Sequence, residues 1–179
     1  MDFKTDAYLH DDVYVRYISA LLAKEGIDFT ADDVASLLIE RRTVGGKSLE
    51  SFFLLYDTKR AMDYITELAK TGAPLTPHRL MEINRLLLQD VIPGGIYRTF
   101  NTDRGTTFME LHQAMDRLFQ AMATMDVVPG GWFTNNFMTI APFGHRNAAT
   151  AAMVELYYHL IRGDAIDSCD LPHRYIMPH

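Results

Sequence analysis

Apolar side chains recur every three or four positions along most of this chain, which is the spacing that places them on one face of an α-helix. The first such stretch covers about residues 13–24 and ends before Gly26, a residue that favours the left-handed turn closing many helices. The second begins at Thr30, which precedes Asp33 by three residues, the spacing of a helix-capping box. The pattern predicts two helices near the N-terminus.

Further stretches with the same spacing follow, and they predict helices at about 48–71, 76–88, 111–122, 133–140 and 147–162. The last of these, from Asn147 to Arg162, is apolar on nearly every side, and such a helix usually lies at the centre of a fold. Between Ile96 and Phe108 the pattern changes to β-forming residues around an Asn-Thr-Asp-Arg-Gly turn. The sequence therefore predicts an all-α bundle with one short β-hairpin.

The length, charge and cysteine content of the chain exclude several classes of protein. At 179 residues the chain is expected to form one domain, 1–179, with a core large enough to fold without a disulfide, and its single cysteine, Cys169, cannot form an internal one. The 23 acidic side chains outnumber the 17 basic ones, and a net charge of −6 opposes binding to nucleic acid. The sequence predicts no membrane span and no signal peptide, so we expect a cytoplasmic protein.

The order of several short motifs along the chain is typical of one protein family. A leucine-rich helix at 80–88 leads to Pro-Gly-Gly-Ile-Tyr-Arg-Thr at 93–99, and Ala-Pro-Phe-Gly-His-Arg-Asn-Ala-Ala follows at 141–149 between two apolar helices. In this order they resemble the Fic (Fic/Doc, or Fido) family of AMP-transferase-type proteins, whose loop reads His-Pro-Phe-x-Asp/Glu-Gly-Asn-Gly-Arg. The resemblance covers about residues 13–165. It implies a Fic-like bundle with the hairpin as its flap, a Fic core at about 76–165 and an N-terminal inhibitory-type helix at about 13–28.

The resemblance also implies roles that the loop residues no longer support. The family's histidine, which takes the proton from the target hydroxyl, is replaced by Ala141, and loss of a general base costs about 10²–10⁴-fold in rate. His145 replaces the acidic residue that binds Mg²⁺, a metal that prefers oxygen ligands. The two glycines are Arg146 and Ala148, and added side chains hinder the close approach of phosphate to the backbone.

The arginines of the family's loop are missing as well. Their positions are Ala149 and Ala152, so no guanidinium is left to hold the outer phosphates. What the resemblance still assigns to nucleotide binding is Phe143, Gly144 and Asn147, with ATP and Mg²⁺ as the implied cofactors. No residue is assigned to metal binding.

Two interpretations of His145 and Arg146 follow. In the first, His145 is a relocated base and Arg146 a relocated phosphate ligand, with Asn147 in an altered role. In the second, which we favour, both side chains face solvent and Arg146 pairs with a carboxylate such as Glu155 or Asp164.

The resemblance assigns an inhibitory role to Glu25 and Gly26, whose family counterparts block the γ-phosphate pocket by pairing with the loop's outer arginine. That arginine is Ala149 here, so we predict that Glu25 is mostly structural. It is either bonded to Arg146 or solvated at a helix end, and the sequence favours neither.

The resemblance makes the predicted hairpin a target-binding flap, which aligns a protein chain by adding a strand to it. Its assigned residues are Tyr97, Arg98, Thr99, Phe100 and Thr107, although Tyr97 and Arg98 are better explained as anchors of the turn on the bundle.

The sequence leaves two functional hypotheses. The first is a Fic-fold protein that does not transfer AMP and acts as a binding or regulatory module in bacterial-type signalling, with a target protein or a Fic relative as its partner. The alternative is an atypical nucleotidyl- or phosphotransferase that modifies a protein hydroxyl from ATP, with His145, Arg146 and Asn147 in catalytic roles. The resemblance also suggests a homodimer.

Overall fold

The computed structural model describes residues 11–103 and 105–164, and these residues fold into seven α-helices. The helices are α1 (Asp11–Lys24), α2 (Ala31–Leu38), α3 (Leu49–Thr71), α4 (Pro77–Leu86), α5 (Leu111–Ala123), α6 (Trp132–Ile140) and α7 (Asn147–Arg162). The all-α fold class is confirmed. Cys169 lies outside the described residues.

Local capping explains where several helices begin and end. Thr30 forms both bonds of the predicted capping box with Asp33, and the side chains of Ser48 and Thr76 each accept a hydrogen bond from the first turn of α3 and α4. Gly72 ends α3 with a left-handed backbone (φ 62°), which glycine adopts without steric cost. These boundaries match the sequence predictions within a few residues.

Helix α7 lies at the centre, as its all-round apolar surface predicts. It packs against α3, α4 and α6, and its buried side chains are Ala149, Thr150, Ala151, Met153, Val154, Leu156, Tyr157 and Leu160. One cluster of buried apolar side chains connects α7 with the other helices. The loop that precedes α7 therefore leads directly into the packed core.

Among the residues described between Ile96 and Phe108, the predicted β-hairpin is not present as a pair of strands. In the part of this segment that the structure describes, the only bridge joins Tyr97 to Phe143 of the α6–α7 loop. The Arg98 guanidinium donates hydrogen bonds to the carbonyl oxygens of Phe100 and Thr106. These side-chain bonds replace the backbone hydrogen bonds that would join the two strands of a hairpin. We call residues 96–108 the flap.

A buried carboxylate holds the turn that follows α4. Asp57 of α3 is buried and accepts hydrogen bonds from the Asp90 N–H at 2.9 Å and from Arg60 Nη1 at 2.6 Å. Its burial raises its pKa, although the bonds to Asp90 and Arg60 act in the opposite direction. Asp57 thus connects the middle of α3 to the segment between α4 and the flap.

Among the described residues, no helix combines the length and the apolar character needed to cross a lipid bilayer.

Candidate functional site

The loop between α6 and α7 begins and ends in a left-handed backbone conformation. Ala141 has φ 48° and Arg146 has φ 54°, although neither residue is a glycine. A side chain in this region costs on the order of 1 kcal/mol relative to glycine. The surrounding contacts must therefore fix the loop against this local cost.

Asparagine side chains supply part of that support. Asn147 closes the loop on itself, because its Oδ1 accepts from the Phe143 N–H at 3.0 Å and its Nδ2 donates to the Phe143 carbonyl at 2.8 Å. Asn84 of α4 is buried and donates from Nδ2 to the His145 carbonyl and to Thr150 Oγ1, both at 3.1 Å. Both the oxygen and the nitrogen of the Asn147 side-chain amide thus form hydrogen bonds inside the loop.

The side chain of Arg146 is buried rather than exposed. Its Nε lies 3.0 Å from both carboxylate oxygens of Glu25, and Nη2 donates to the same carboxylate and to Thr58 Oγ1 at 3.0 Å. Nη1 donates to the Leu87 carbonyl at 2.7 Å. The side chain is 7% exposed and that of Glu25 is 18% exposed. Arg146 thus joins α7 to α1, α3 and the end of α4.

These contacts decide between the interpretations of Arg146. The prediction that it faces solvent and pairs with Glu155 or Asp164 is wrong, and of the two alternatives left open for Glu25, the contact with Arg146 is the one present. Glu155 instead accepts hydrogen bonds from the N–H and hydroxyl of Thr134 at the start of α6. An arginine at this place finds a carboxylate with two oxygens and a buried carbonyl, which satisfy more of its donors than an exposed partner would.

The remaining candidates of the loop are placed differently. His145 and Gly144 are exposed, Phe143 is buried against Phe137 and Tyr97, and Ala141 is half-buried. Ala141 has no proton-accepting side-chain atom, and the nitrogen donors of His145 do not suit Mg²⁺. The residues present at the loop therefore do not fit an ATP–Mg²⁺ complex in the manner that the family resemblance implies.

A surface cavity of about 360 Å³ opens beside the Glu25–Arg146 pair. It is lined by the loop between α1 and α2 and by the first turns of α3, and its charged lining residues are Glu25, Glu50 and Arg146. Two carboxylates therefore face one guanidinium that is already paired. Such a lining opposes the entry of a triphosphate.

Among the flap candidates, Arg98 is buried, Tyr97 is half-buried against Phe143, and the others are exposed. The Nε of Arg98 donates to the Ala141 carbonyl at 2.8 Å and Nη1 to the Phe100 carbonyl at 2.7 Å. Burial, with a smaller contribution from Asp116, raises the pKa of Tyr97 to about 12. Thr99, Phe100 and Thr107 are exposed. Arg98 thus fixes the flap to the α6–α7 loop, so the two candidate regions form one continuous structure.

Two residues of this site were not identified in the sequence. Thr58 accepts from Arg146, and Asn84 holds the loop carbonyl of His145. Both are polar residues at positions that continue an apolar helix face, four residues after Leu54 and Leu80 respectively. That interruption of the apolar pattern is the signal that could have identified them.

No protein-family model and no curated protein matches the sequence. Among solved structures, the chain is similar to a Fic domain containing signaling protein from Bacteroides thetaiotaomicron, with 19% identity, a TM-score of 0.76 and 86% of this chain covered. It is also similar to a Fic family protein from Desulfovibrio desulfuricans, with 18% identity, a TM-score of 0.66 and 85% covered. The chain spans 64% and 48% of the lengths of these two proteins.

The described residues therefore have the Fic fold. At these identities the similarity establishes the fold alone, and the chemistry has to be argued from the side chains of this chain.

Proposed function

We propose that this Fic-fold chain does not transfer AMP and acts as a binding or regulatory module. The observation that carries the proposal is the buried Arg146 side chain, whose guanidinium binds Glu25, Thr58 and the Leu87 carbonyl. Arg146, which could compensate for the lost arginines of the loop, is thus bonded to groups inside the bundle. The replacement of the proton-accepting histidine by Ala141 supports the same conclusion.

Electrostatics supports the proposal as well. Arg146 would have to leave Glu25 before it could bind a phosphate, and Glu25 would then be left partly buried without its partner. Separating such a pair costs several kcal/mol when both groups are buried. Phosphate binding would have to offset that cost in a cavity that also contains Glu50.

The alternative transferase requires His145, Arg146 and Asn147 to act on a nucleotide. Arg146 and Asn147 are both engaged inside the protein, and only His145 is exposed. A single exposed histidine can move a proton, but it cannot hold a triphosphate and a metal ion in reacting geometry. The module is therefore the better proposal, with a protein partner at the flap or a Fic relative as the expected partner, and a homodimer as the assembly to test.

The experiment is a label-transfer assay. The purified protein is incubated with ATP labelled on its α-phosphate, with Mg²⁺ or Mn²⁺, and with a bacterial lysate, while an active Fic transferase serves as the positive control. The proposal predicts no covalent label on the protein itself or on any lysate protein. Metal-dependent labelling that disappears in a His145→Ala variant would contradict it and establish the transferase.

A further inference from the structure

A second surface cavity lies at the other end of α7 from the loop. It has a volume of about 360 Å³ and opens where the α3–α4 connection, the end of α5 and the last turns of α7 meet. Its lining residues on α7 lie between Tyr157 and Arg162, whereas the loop precedes Asn147. At the helical rise per residue, about ten residues of α7 separate the two places by about 15 Å. We call this second cavity the distal cavity.

Most side chains that line the distal cavity are apolar or aromatic. They include Phe119, Met122, Met125, Tyr157, Tyr158 and Ile161. Unbranched methionine side chains adapt their shape to a ligand, and aromatic rings attract cations to their faces. A concave site of this size and lining is typical of those that hold small molecules.

The two tyrosines of the lining differ in their hydrogen bonds. The Tyr157 hydroxyl donates to the Ala73 carbonyl at 2.9 Å, whereas the Tyr158 hydroxyl forms no hydrogen bond within the described part of the chain. Burial, with smaller contributions from Tyr157 and Glu155, raises the pKa of Tyr158 to about 12. The Tyr158 phenol is therefore uncharged at neutral pH, and its oxygen can accept a hydrogen bond from a ligand.

The positive charge on the lining is already paired. Arg162 Nε lies 2.6 Å from the Asp164 carboxylate, and Arg162 Nη1 donates to the Val128 carbonyl at 3.4 Å. His159 Nδ1 lies 3.3 Å from the same carboxylate. An anionic ligand would therefore have to compete with Asp164 for Arg162.

The negative charge on the lining is not paired. Asp126 is exposed and forms no ion pair with any residue of the described ranges 11–103 and 105–164. Arg79 is another cation close to Tyr157, but it does not line the distal cavity and it donates to the Pro74 carbonyl. A ligand with a positive group therefore gains Asp126 as a partner without breaking an ion pair.

We propose that the distal cavity binds a small amphipathic cation, a primary amine on an aromatic or alkyl body. The body would lie against Met122, Met125 and the Tyr158 ring, and the ammonium group would face Asp126. This ligand site is separate from the loop and the flap, so the proposal goes beyond the proposed function and does not depend on it.

The test is a titration of phenethylamine into the purified full chain, followed by NMR of carbon-13-labelled methionine methyl groups. Met122 and Met125 report on the distal cavity, and the spectra of Met122→Leu and Met125→Leu assign their signals. A ligand this small is expected to bind with a Kd on the order of 1 mM, so the titration extends to about 10 mM.

Two further ligands separate the contribution of the charge from that of the ring. Hydrocinnamate has the same ring with a carboxylate, and we expect it to bind about fivefold more weakly or less, because Asp126 repels it and Arg162 is already paired. Ethylamine keeps the charge without the ring, and we expect it to bind about tenfold more weakly or less. The affinity for phenethylamine should fall with added salt.

Matched variants of the protein locate the site. Asp126→Asn should weaken phenethylamine binding by about threefold, whereas Asp32→Asn, which changes an exposed carboxylate of α2, should leave it unchanged. Ala123→Trp adds a large ring to the lining and should weaken binding by about tenfold or more, whereas Gln120→Trp adds the same ring to an exposed position of α5 outside the lining. Thermal melts establish that each variant is folded.

Several outcomes would overturn the inference. They are unchanged Met122 and Met125 signals at the highest phenethylamine concentration, equal binding of phenethylamine and hydrocinnamate, and equal effects of Asp126→Asn and Asp32→Asn. A dimer that only Ala123→Trp dissociates would make a second copy the occupant of the distal cavity. Tighter phenethylamine binding in a full-length Tyr175→Ser, Ile176→Ser variant would make the chain's own C-terminal segment the occupant. None of these outcomes changes the label-transfer result.

Discussion

The two buried arginine side chains, Arg98 and Arg146, find different partners for their positive charge. Arg146 places its charge against the carboxylate of Glu25, whereas Arg98 donates to the carbonyl oxygens of Phe100, Thr106, Ile140 and Ala141. Arg146 joins helices that are far apart in the sequence, and Arg98 shapes the backbone within and next to the flap. The first contact should therefore control how helix α1 is attached, and the second should control whether the flap has a structure at all.

The largest expected effect follows from removing Arg98. The Arg98→Ala variant would leave one buried and three partly buried carbonyls without their donor, and we expect it to lower the free energy of unfolding by about 3 kcal/mol or more. Urea denaturation measures the loss, and hydrogen exchange should show faster exchange of the amides at 98–108. Arg98→Lys should not restore stability, because a lysine ammonium cannot match the planar spread of a guanidinium. A loss below about 1 kcal/mol would contradict the anchoring role.

The next effect concerns the pair of Glu25 and Arg146. Breaking a fully buried pair costs about 3–5 kcal/mol, and because Glu25 is partly exposed we expect about 2 kcal/mol for Glu25→Ala and slightly more for Arg146→Ala. The double variant should lose less than the sum of the two, by about 1 kcal/mol or more. Urea denaturation of the four proteins completes the cycle. Strict additivity would mean that the two side chains do not interact in solution.

A smaller effect distinguishes the contribution of the Arg146 side chain to stability from the cost of its left-handed backbone. Arg146→Gly loses the same contacts as Arg146→Ala, but it relieves the left-handed backbone, so it should be more stable than the alanine variant by about 1 kcal/mol. Ala141→Gly should likewise stabilise the protein, by up to about 1 kcal/mol. Thermal melts compare these variants. If glycine were no better than alanine at both positions, the loop in solution would not have the backbone described here.

The smallest expected effect is a pH dependence of stability that comes from Asp57, which bonds to neither Arg98 nor Arg146. Because burial raises the pKa of Asp57, the folded protein keeps this proton to a higher pH than the unfolded chain does. The contribution of Asp57 to stability therefore falls as the pH rises from about 4 through the raised folded pKa, and it is constant above.

The difference between wild type and Asp57→Asn should follow that course. The melting temperature of Asp57→Asn relative to wild type should increase as the pH rises above about 4, the usual Asp pKa, and should stop increasing once the pH exceeds the raised pKa of folded Asp57. Asp12→Asn, which changes an exposed carboxylate, is the matched control variant. A difference that is constant with pH, or that changes with the opposite sign, would contradict the raised pKa.

The helices could be predicted from the sequence because their signals are local. Thr30, Ser48 and Gly72 act within one turn of the helix that each begins or ends, and the apolar period of α7 reports directly that it is central. The flap could not be predicted in the same way. Its β-forming residues predict paired strands, but the Arg98 side chain binds the carbonyls of Phe100 and Thr106 that such pairing would use. The spacing of apolar residues does not indicate this competition.

The loop site shows the same limit. The loss of the family's histidine, acidic residue and arginines is visible at single positions, and it could be stated from the sequence alone. The direction of the Arg146 side chain depends on Glu25, Thr58 and the Leu87 carbonyl, which come from three other parts of the chain. The sequence could offer the contact with Glu25 only as one of two outcomes.

A thermal melt with and without ATP tests whether the Arg146–Glu25 pair leaves no place for a triphosphate at the loop. If the loop held ATP–Mg²⁺ with a Kd one hundredth of the ATP concentration, mass action would add about 2.7 kcal/mol to the stability of the folded protein. Because Arg146 is bonded to Glu25, we expect no Mg²⁺-dependent shift in the melting temperature of the wild type. A clear Mg²⁺-dependent increase that is lost in the folded Arg146→Gly variant would contradict it, because Arg146 would then be a phosphate ligand and not part of the core.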